Sequence, residues 1–348
     1  MTARSPNEGD GRATVREAGP GPDPGEAVSV DALFDQIKGL HRASNGSRDP
    51  DLDRRARHLR HLAGRLILER APANPEYAVP TFDSVPPEAG VVEVTAADLT
   101  PGLLRAAILR HGCLLVRGLV DRDDALGLAE GIERAFEARR ALGAGGSAGD
   151  GYYEEFEPEP PYRVAERPWV EMGGGVLAVD SPTPMFDMFE ALNQVGFPEV
   201  VHGYLGERAA ISAQKTTLRK AEPDVRGAWH QDGKFLGEVR ALNLWLSLSR
   251  CGEEAPGLDI VPRRIDHVLE AGTDSEFPIE VSPAAAEAAA GDVGILRPIF
   301  EPGDALLFDE LFLHQTGSDP QMPKPRYAIE SWFFGPSAFP SDYAPLAA

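Results

Sequence analysis

The sequence predicts an α+β fold in which N-terminal helices lead into a closed or double-sheet β core, and three features carry that prediction. Apolar residues recur at helical spacing before residue 70, and short strand-like runs separated by Gly, Pro and Asp follow residue 210. Neither an internal repeat nor a dinucleotide-binding glycine fingerprint is present, which argues against a doubly wound parallel sheet. With 348 residues, 42% hydrophobic and 26% charged, the chain is long enough for one elaborated domain.

Residues 1–28 are rich in Gly, Pro, Asp and Glu and carry no hydrophobic period, so a disordered tail is expected there. An N-terminal helical extension is expected over 29–90: Val30, Leu33, Phe34, Ile37 and Leu40 mark one helix, and Leu59, Leu62, Leu66 and Ile67 mark a second that begins near Asp51. Arg54, Arg55, Arg57, His58, Arg60 and His61 on this second helix are expected to form a solvated basic face. The remaining 91–348 is expected to be the β-rich domain. It opens with a strand VVEV, a helix capped by Thr100, a buried strand from Cys113 and a helix from about Asp121. Residues 142–182, with GAGGSAGDG, YYEEFEPEPPY and MGGG, lack periodicity and are expected to form a lid insert. A helix from about Pro184 to Leu205 precedes strands near 210–219, 241–249, 258–262, 293–299, 304–308 and 326–334.

The formal net charge of -21 repels a phosphate backbone, so no nucleic-acid partner is expected. Cys113 and Cys251 are too few and too far apart for a disulfide framework or a Cys-pair metal site, which fits a reducing compartment. The first residues have no apolar signal core, and no run approaches the roughly 20 apolar residues of a membrane span. The expected setting is therefore cytoplasmic, with a small-molecule substrate and no membrane.

Chemistry concentrates in WHQDG at 229–233. His230 and Asp232 are two apart and project from one side of an extended segment, offering an imidazole and a carboxylate together. His314, in FLHQTG after the strand-like DALLF, is a candidate third ligand. Two His and one carboxylate on one face of a metal leave positions open, the arrangement of non-haem iron(II) oxygenases. Arg326 opens the last predicted strand, where a buried guanidinium can clamp a carboxylate through two parallel hydrogen bonds.

With these pieces in order, residues 91–335 resemble the phytanoyl-CoA dioxygenase family of 2-oxoglutarate-dependent oxygenases. The resemblance runs through HQD, LNLWLSLSRC at 242–251, GLDIVPRRIDH at 257–267, PGDALLFDELFLHQTG at 302–317, and Arg326. It implies a double-stranded β-helix, or cupin-like jelly roll. It implies His230, Asp232 and His314 as iron(II) ligands and Arg326 as partner of the 2-oxoglutarate C5 carboxylate. The implied reaction uses O2, hydroxylates a small molecule and releases succinate and CO2; desaturation, epoxidation and ring formation differ only in substrate placement. Asp232 argues against halogenation, which needs a small residue there.

Asn243 and Trp245 resemble the family's Asn-x-Trp beside the co-substrate, the alternative being a strand amide and a core aromatic. Gln214, in SAQKTT, is a further candidate for that pocket. Thr316 or Ser318 is placed to donate a hydroxyl to the carboxylate held by Arg326, although turn capping accounts for both equally. The family's usual small turn reads PRR here, so Arg263 and Arg264 are expected at the pocket rim, and His267 stays outside the metal set. The acidic aromatic stretch, with Asp150, Tyr152, Tyr153, Glu154, Glu155, Phe156, Glu157 and Glu159, is the candidate substrate lid. It would favour a cationic or sugar-like substrate over an acyl-CoA, a solvated acidic loop being the plainer reading. Two other classes compete: a cupin-type divalent-metal hydrolase or isomerase without a redox cycle, and a binding protein with a vestigial site. Formation of succinate from 2-oxoglutarate separates them from an oxygenase.

Overall fold

The computed structural model describes residues 29–44, 49–88, 90–147, 151–225, 227–271 and 280–348; the tail expected over 1–28 and Asp150 of the insert lie outside them. Helix α1 (Val30–Ser44) packs on α2 (Pro50–Glu69), whose first turn is capped by the Asp49 carboxylate accepting from the Asp51 amide at 3.0 Å. Leu33 and Ile37 meet Leu59, Ala63 and Ile67 in a small core of their own.

The basic face of α2 is solvated only in part: Arg55 and His58 are exposed, whereas the other side of the run is buried. Arg57, Arg60 and His61 are 7%, 3% and 0% exposed, because α2 lies against the end of the chain. Gly64 allows the approach: a Cβ there would stand 2.8 Å from the Leu346 amide nitrogen. Arg60 donates to the Ala347 carbonyl at 3.0 Å and His61 Nδ1 to the Pro345 carbonyl at 2.8 Å. Arg57 donates to the Val179 carbonyl at 2.8 Å and to the Glu154 carboxylate at 2.7 Å. Helical periodicity could not reveal this, since every partner lies about a hundred residues or more away in sequence. Arg57→Met is therefore expected to destabilise the protein by roughly 2–4 kcal/mol, because it leaves the Val179 and Glu154 carbonyls without their donor, while leaving kinetic constants unchanged. Denaturant unfolding beside steady-state kinetics checks both.

The chain continues through β1 (Glu93–Thr95), α3 (Pro101–His111, capped by Thr100), β2 (Cys113–Arg117) and α4 (Arg122–Gly143). The insert is more ordered than its composition suggests, holding α5 (Arg167–Met172) and β3 (Gly175–Leu177). The single helix expected near 184–205 is two, α6 (Pro182–Gln194) and α7 (Phe197–Leu205), parted by Gly196 at φ +65°. Then follow β4 (Ala210–Ala221), α8 (Gly233–Leu236), β5 (Ala241–Ser247), β6 (Gly257–Ile260), α9 (Pro283–Ala290), β7 (Ala305–Phe308), β8 (His314–Gly317), β9 (Arg326–Phe334) and β10 (Pro345–Ala347). The strand expected at 293–299 does not form: Leu296 and Phe300 make only isolated bridges to Ile260 and Cys251, and Pro298 between them has no N–H to give a ladder.

The large sheet runs β1-β2-β7-β5-β9-β4-β10 with β3 added on β4, and is antiparallel except for β1 with β2. Opposite it, β6 pairs with β8, and the bridges His230–His314, Trp229–Val281 and Ile260–Leu296 widen this pair into a smaller sheet. Trp245, Leu258, Ile260, Phe308, Trp332 and Phe334 fill the space between the two sheets, while helices cover the other face of the large one. This is the double-stranded β-helix, or jelly roll. A bulge in β4 between Ile211 and Thr216 reverses its faces. Ile211 and Ala213 point to the helical layer before it and Leu218 after it, so Lys215, Thr217 and Arg219 turn inward.

Candidate metal centre

His230 lies in the extended segment bridged to β8, and His314 opens β8, so the two sit side by side: His230 N–H donates to the His314 carbonyl at 3.0 Å and His314 N–H returns the bond at 3.2 Å. Gly227 makes the pairing possible, because a Cβ there would stand 2.0 Å from the Thr316 carbonyl oxygen. Between the two candidate ligands of the HQD run, Gln231 points the other way. Its amide donates to the Leu311 carbonyl at 2.6 Å and the His267 carbonyl at 3.0 Å and accepts from the Leu269 amide at 2.7 Å, stapling the segment to both neighbouring loops. Sequence reasoning missed Gln231. The signal was its place between two inward residues of an extended run, which sends it outward to the loops.

The structure brings His230, Asp232 and His314 together, with one ligand atom from each lying within 4.8 Å of the others. His314 Nε2 and Asp232 Oδ2 are 3.9 Å apart, a gap that one ion with bonds of about 2.0–2.2 Å would bridge. Both rings are pre-set: His230 Nδ1 meets the Ala228 carbonyl at 2.8 Å and His314 Nδ1 meets the Phe312 carbonyl at 3.1 Å. A carbonyl only accepts, so each Nδ1 carries the proton and each Nε2 offers its lone pair. Burial, reinforced by His230, holds His314 down at about 3, which keeps it neutral. Burial also lifts the Asp232 carboxyl to about 6, and its Oδ2 has no hydrogen-bond partner. Two imidazoles with their Nε2 atoms turned to an orphaned, desolvated carboxylate suit a divalent cation, which would relieve the buried charge cost of Asp232.

A cavity of about 350 Å³ opens beside these three side chains, lined further by Gln214, Lys215, Arg219, Trp245, Thr316, Arg326, Glu330 and Trp332. Arg326 is 3% exposed, donates Nη1 to the Gly257 carbonyl at 3.0 Å and lies 5.3 Å from the Trp245 ring, with its Nε unpartnered. Among the described residues no carboxylate pairs with it. Trp245 thus touches the guanidinium. Asn243 is fully buried with both amide atoms unsatisfied, but it stands outside the cavity lining, one step further along the inner face of β5.

Gln214 borders the cavity, yet its amide is engaged by the chain itself: it donates to the Arg163 carbonyl at 2.9 Å and accepts from the Ala344 amide at 3.0 Å, joining insert to C-terminus. Thr316 lines the cavity, whereas Ser318 gives its hydroxyl to the Val225 carbonyl at 2.6 Å. Neither Arg263 nor Arg264 reaches the rim. Arg263 donates to the Ala289 carbonyl, and Arg264 pairs with Asp266 and Asp309, bracing the loop before His314; His267 is exposed. The acidic stretch is no lid either, for Glu154 pairs with Arg54 and Arg57, Glu159 with Arg65, and Tyr153 and Phe156 are buried in the core. From the insert, Val170 and Gly173 at α5 are what reach the cavity.

Solved structures carry the same arrangement of sheets. The chain is similar in fold to EctD from S. alaskensis. The apoform of EctD matches with 18% identity and a TM-score of 0.50, covering 79% of this chain and 94% of that one. AviO1 from Streptomyces viridochromogenes Tue57 matches with 18% identity and a TM-score of 0.44, covering 70% of this chain and 98% of that one. EctD has also been crystallised with bound Fe, and with 2-oxoglutarate and 5-hydroxyectoine. No family model matches the sequence, and no curated protein does. Among the described residues no helix is long and apolar enough to cross a membrane.

Proposed function

We propose that the chain is an iron(II)- and 2-oxoglutarate-dependent oxygenase that hydroxylates a small molecule. One observation carries this reading: a 2-His-1-carboxylate set and a buried guanidinium without a carboxylate partner line the same cavity. A metal-only hydrolase or isomerase has no use for Arg326. The cofactors proposed are those that EctD, which shares this fold, holds in its own crystals.

Iron(II) held there, with 2-oxoglutarate and dioxygen, supplies an oxidant able to functionalise an unactivated C–H bond, releasing succinate and carbon dioxide. The protein's own part is positioning. His230 and His314 present Nε2 atoms fixed by their Nδ1 hydrogen bonds, and Asp232 supplies the negative charge. Arg326 receives the far carboxylate of 2-oxoglutarate with Thr316 in the same lining. Val170, Phe235, Leu258 and Trp332 give apolar walls that exclude water from the reacting carbon.

Purified protein supplied with iron(II), ascorbate and 2-oxoglutarate is expected to form succinate, and a mass-spectrometric metabolite screen to find a gain of one oxygen. Failure to bind iron, or succinate no higher than without protein, would falsify the reading.

A further inference from the structure

We infer that Lys215 anchors an anionic group, such as a carboxylate, of the molecule that is oxidised. The inference rests on the proposed oxygenase reading only in giving Arg326 to the co-substrate. The β4 bulge turns Lys215 into the cavity, where its ammonium lies 4.2 Å from the Phe235 ring and 5.8 Å from the Tyr343 ring. Among the described residues it makes no hydrogen bond and no ion pair. The other cations of the cavity are accounted for: Arg219 pairs with Glu330 at 3.1 Å, and Arg326 donates to the Gly257 carbonyl at 3.0 Å and is given to the co-substrate. Burial pushes the Lys215 ammonium below its ordinary range although Asp232, Glu330 and Glu166 act against the shift from a distance, so none of them compensates its desolvation.

Distance separates this pole from the co-substrate arm. Arg326 faces Ala221 across the β4–β9 ladder, and Lys215 stands six residues along β4 from Ala221, roughly 20 Å of strand. The two cations thus spring from well-separated points of the sheet. Lys215 and the three candidate ligands line the same cavity, so a molecule held at Lys215 would lie beside them. A phenyl-walled ammonium selects an anion with adjoining apolar surface. This reverses the cationic preference expected from the insert, whose Glu154 and Glu159 are occupied by arginines.

The test uses the full chain loaded with zinc(II) and excess 2-oxoglutarate, which fills the Arg326 arm. Binding is measured by ligand-observed NMR for phenylacetate, indole-3-acetate and hexanoate against their primary amides. The carboxylates are expected to bind about tenfold or more tightly than the amides, and Lys215→Met to erase that preference while Lys215→Arg retains most of it. Equal binding of acids and amides, or the same preference in Lys215→Met, overturns the inference. Succinate formation by the iron-loaded wild type is read separately, so failure of the oxygenase reading leaves the anion preference measurable, and the reverse.

Discussion

Asp232→Asn is expected to abolish iron binding and 2-oxoglutarate turnover while making the metal-free protein more stable. Losing the anionic donor should lower turnover by more than about 100-fold, since perturbing even the partners of metal ligands costs about 10–100-fold. The stability gain follows from burial: the carboxylate is 3% exposed, and its Oδ2 has no partner without a metal. Its folded value of about 6 stands above the ordinary 3.8, so the folded state prefers the protonated form. The favourable contribution is complete below the ordinary value and is lost as pH rises through about 6, a change on the order of 3 kcal/mol. Asn mimics the protonated acid at every pH. The stability gap between variant and wild type should therefore open between about pH 4 and pH 6 and hold above that. His314 acts with the opposite sign, its value being depressed, but it contributes to both proteins and largely cancels in their difference. Urea unfolding of both metal-free proteins across that range reads the gap directly. A variant less stable than wild type at neutral pH would show that Asp232 is satisfied by the fold rather than held for a cation.

The candidate ligand pair His230 and Asp232 was legible because its geometry is local, and His314 because the order of motifs resembles a known family. The pair needed only an extended segment. The central strands of the large sheet were legible as apolar runs bounded by Gly and Pro, since β5 and β7 are buried along their whole length, whereas the three-residue β3 and β10 were too short to show. What stayed hidden depends on partners remote in the chain. Arg60 and His61 of α2 looked solvated because nothing nearby shows that Ala347 and Pro345 lie over them. Gln214 does border the cavity, but sequence could not show that Ala344 and Arg163 take up its amide. The acidic stretch looked like a substrate filter because its composition does not name its counter-charges on α2. Lys215 could not be singled out at all, for the side on which it emerges is set by a bulge that no local pattern marks.

Arg326→Met is expected to raise the 2-oxoglutarate concentration for half-saturation by about 100-fold or more while leaving iron binding intact. Truncating one partner of a buried, hydrogen-bonded charge pair costs about 2–5 kcal/mol, much of it the penalty on the charge left behind. Arg326 offers the conditions for the upper part of that range. It is buried, one nitrogen is fixed on the Gly257 carbonyl, the Trp245 ring flanks it, and its Nε is unpartnered. Burial lowers its value to about 10, which still leaves it charged at neutral pH and in want of an anion. Arg326→Lys should recover little, because an ammonium cannot present a planar fork to a carboxylate while also reaching the Gly257 carbonyl. Titrating 2-oxoglutarate into the anaerobic iron-loaded proteins separates this arm from the metal, because Arg326 is not a donor to the ion. Half-saturation within about twofold of wild type in Arg326→Met would mean the co-substrate lies elsewhere in the cavity. The 2-His-1-carboxylate set would then still bind its metal, but the reason for preferring an oxygenase over a metal-only hydrolase would be gone.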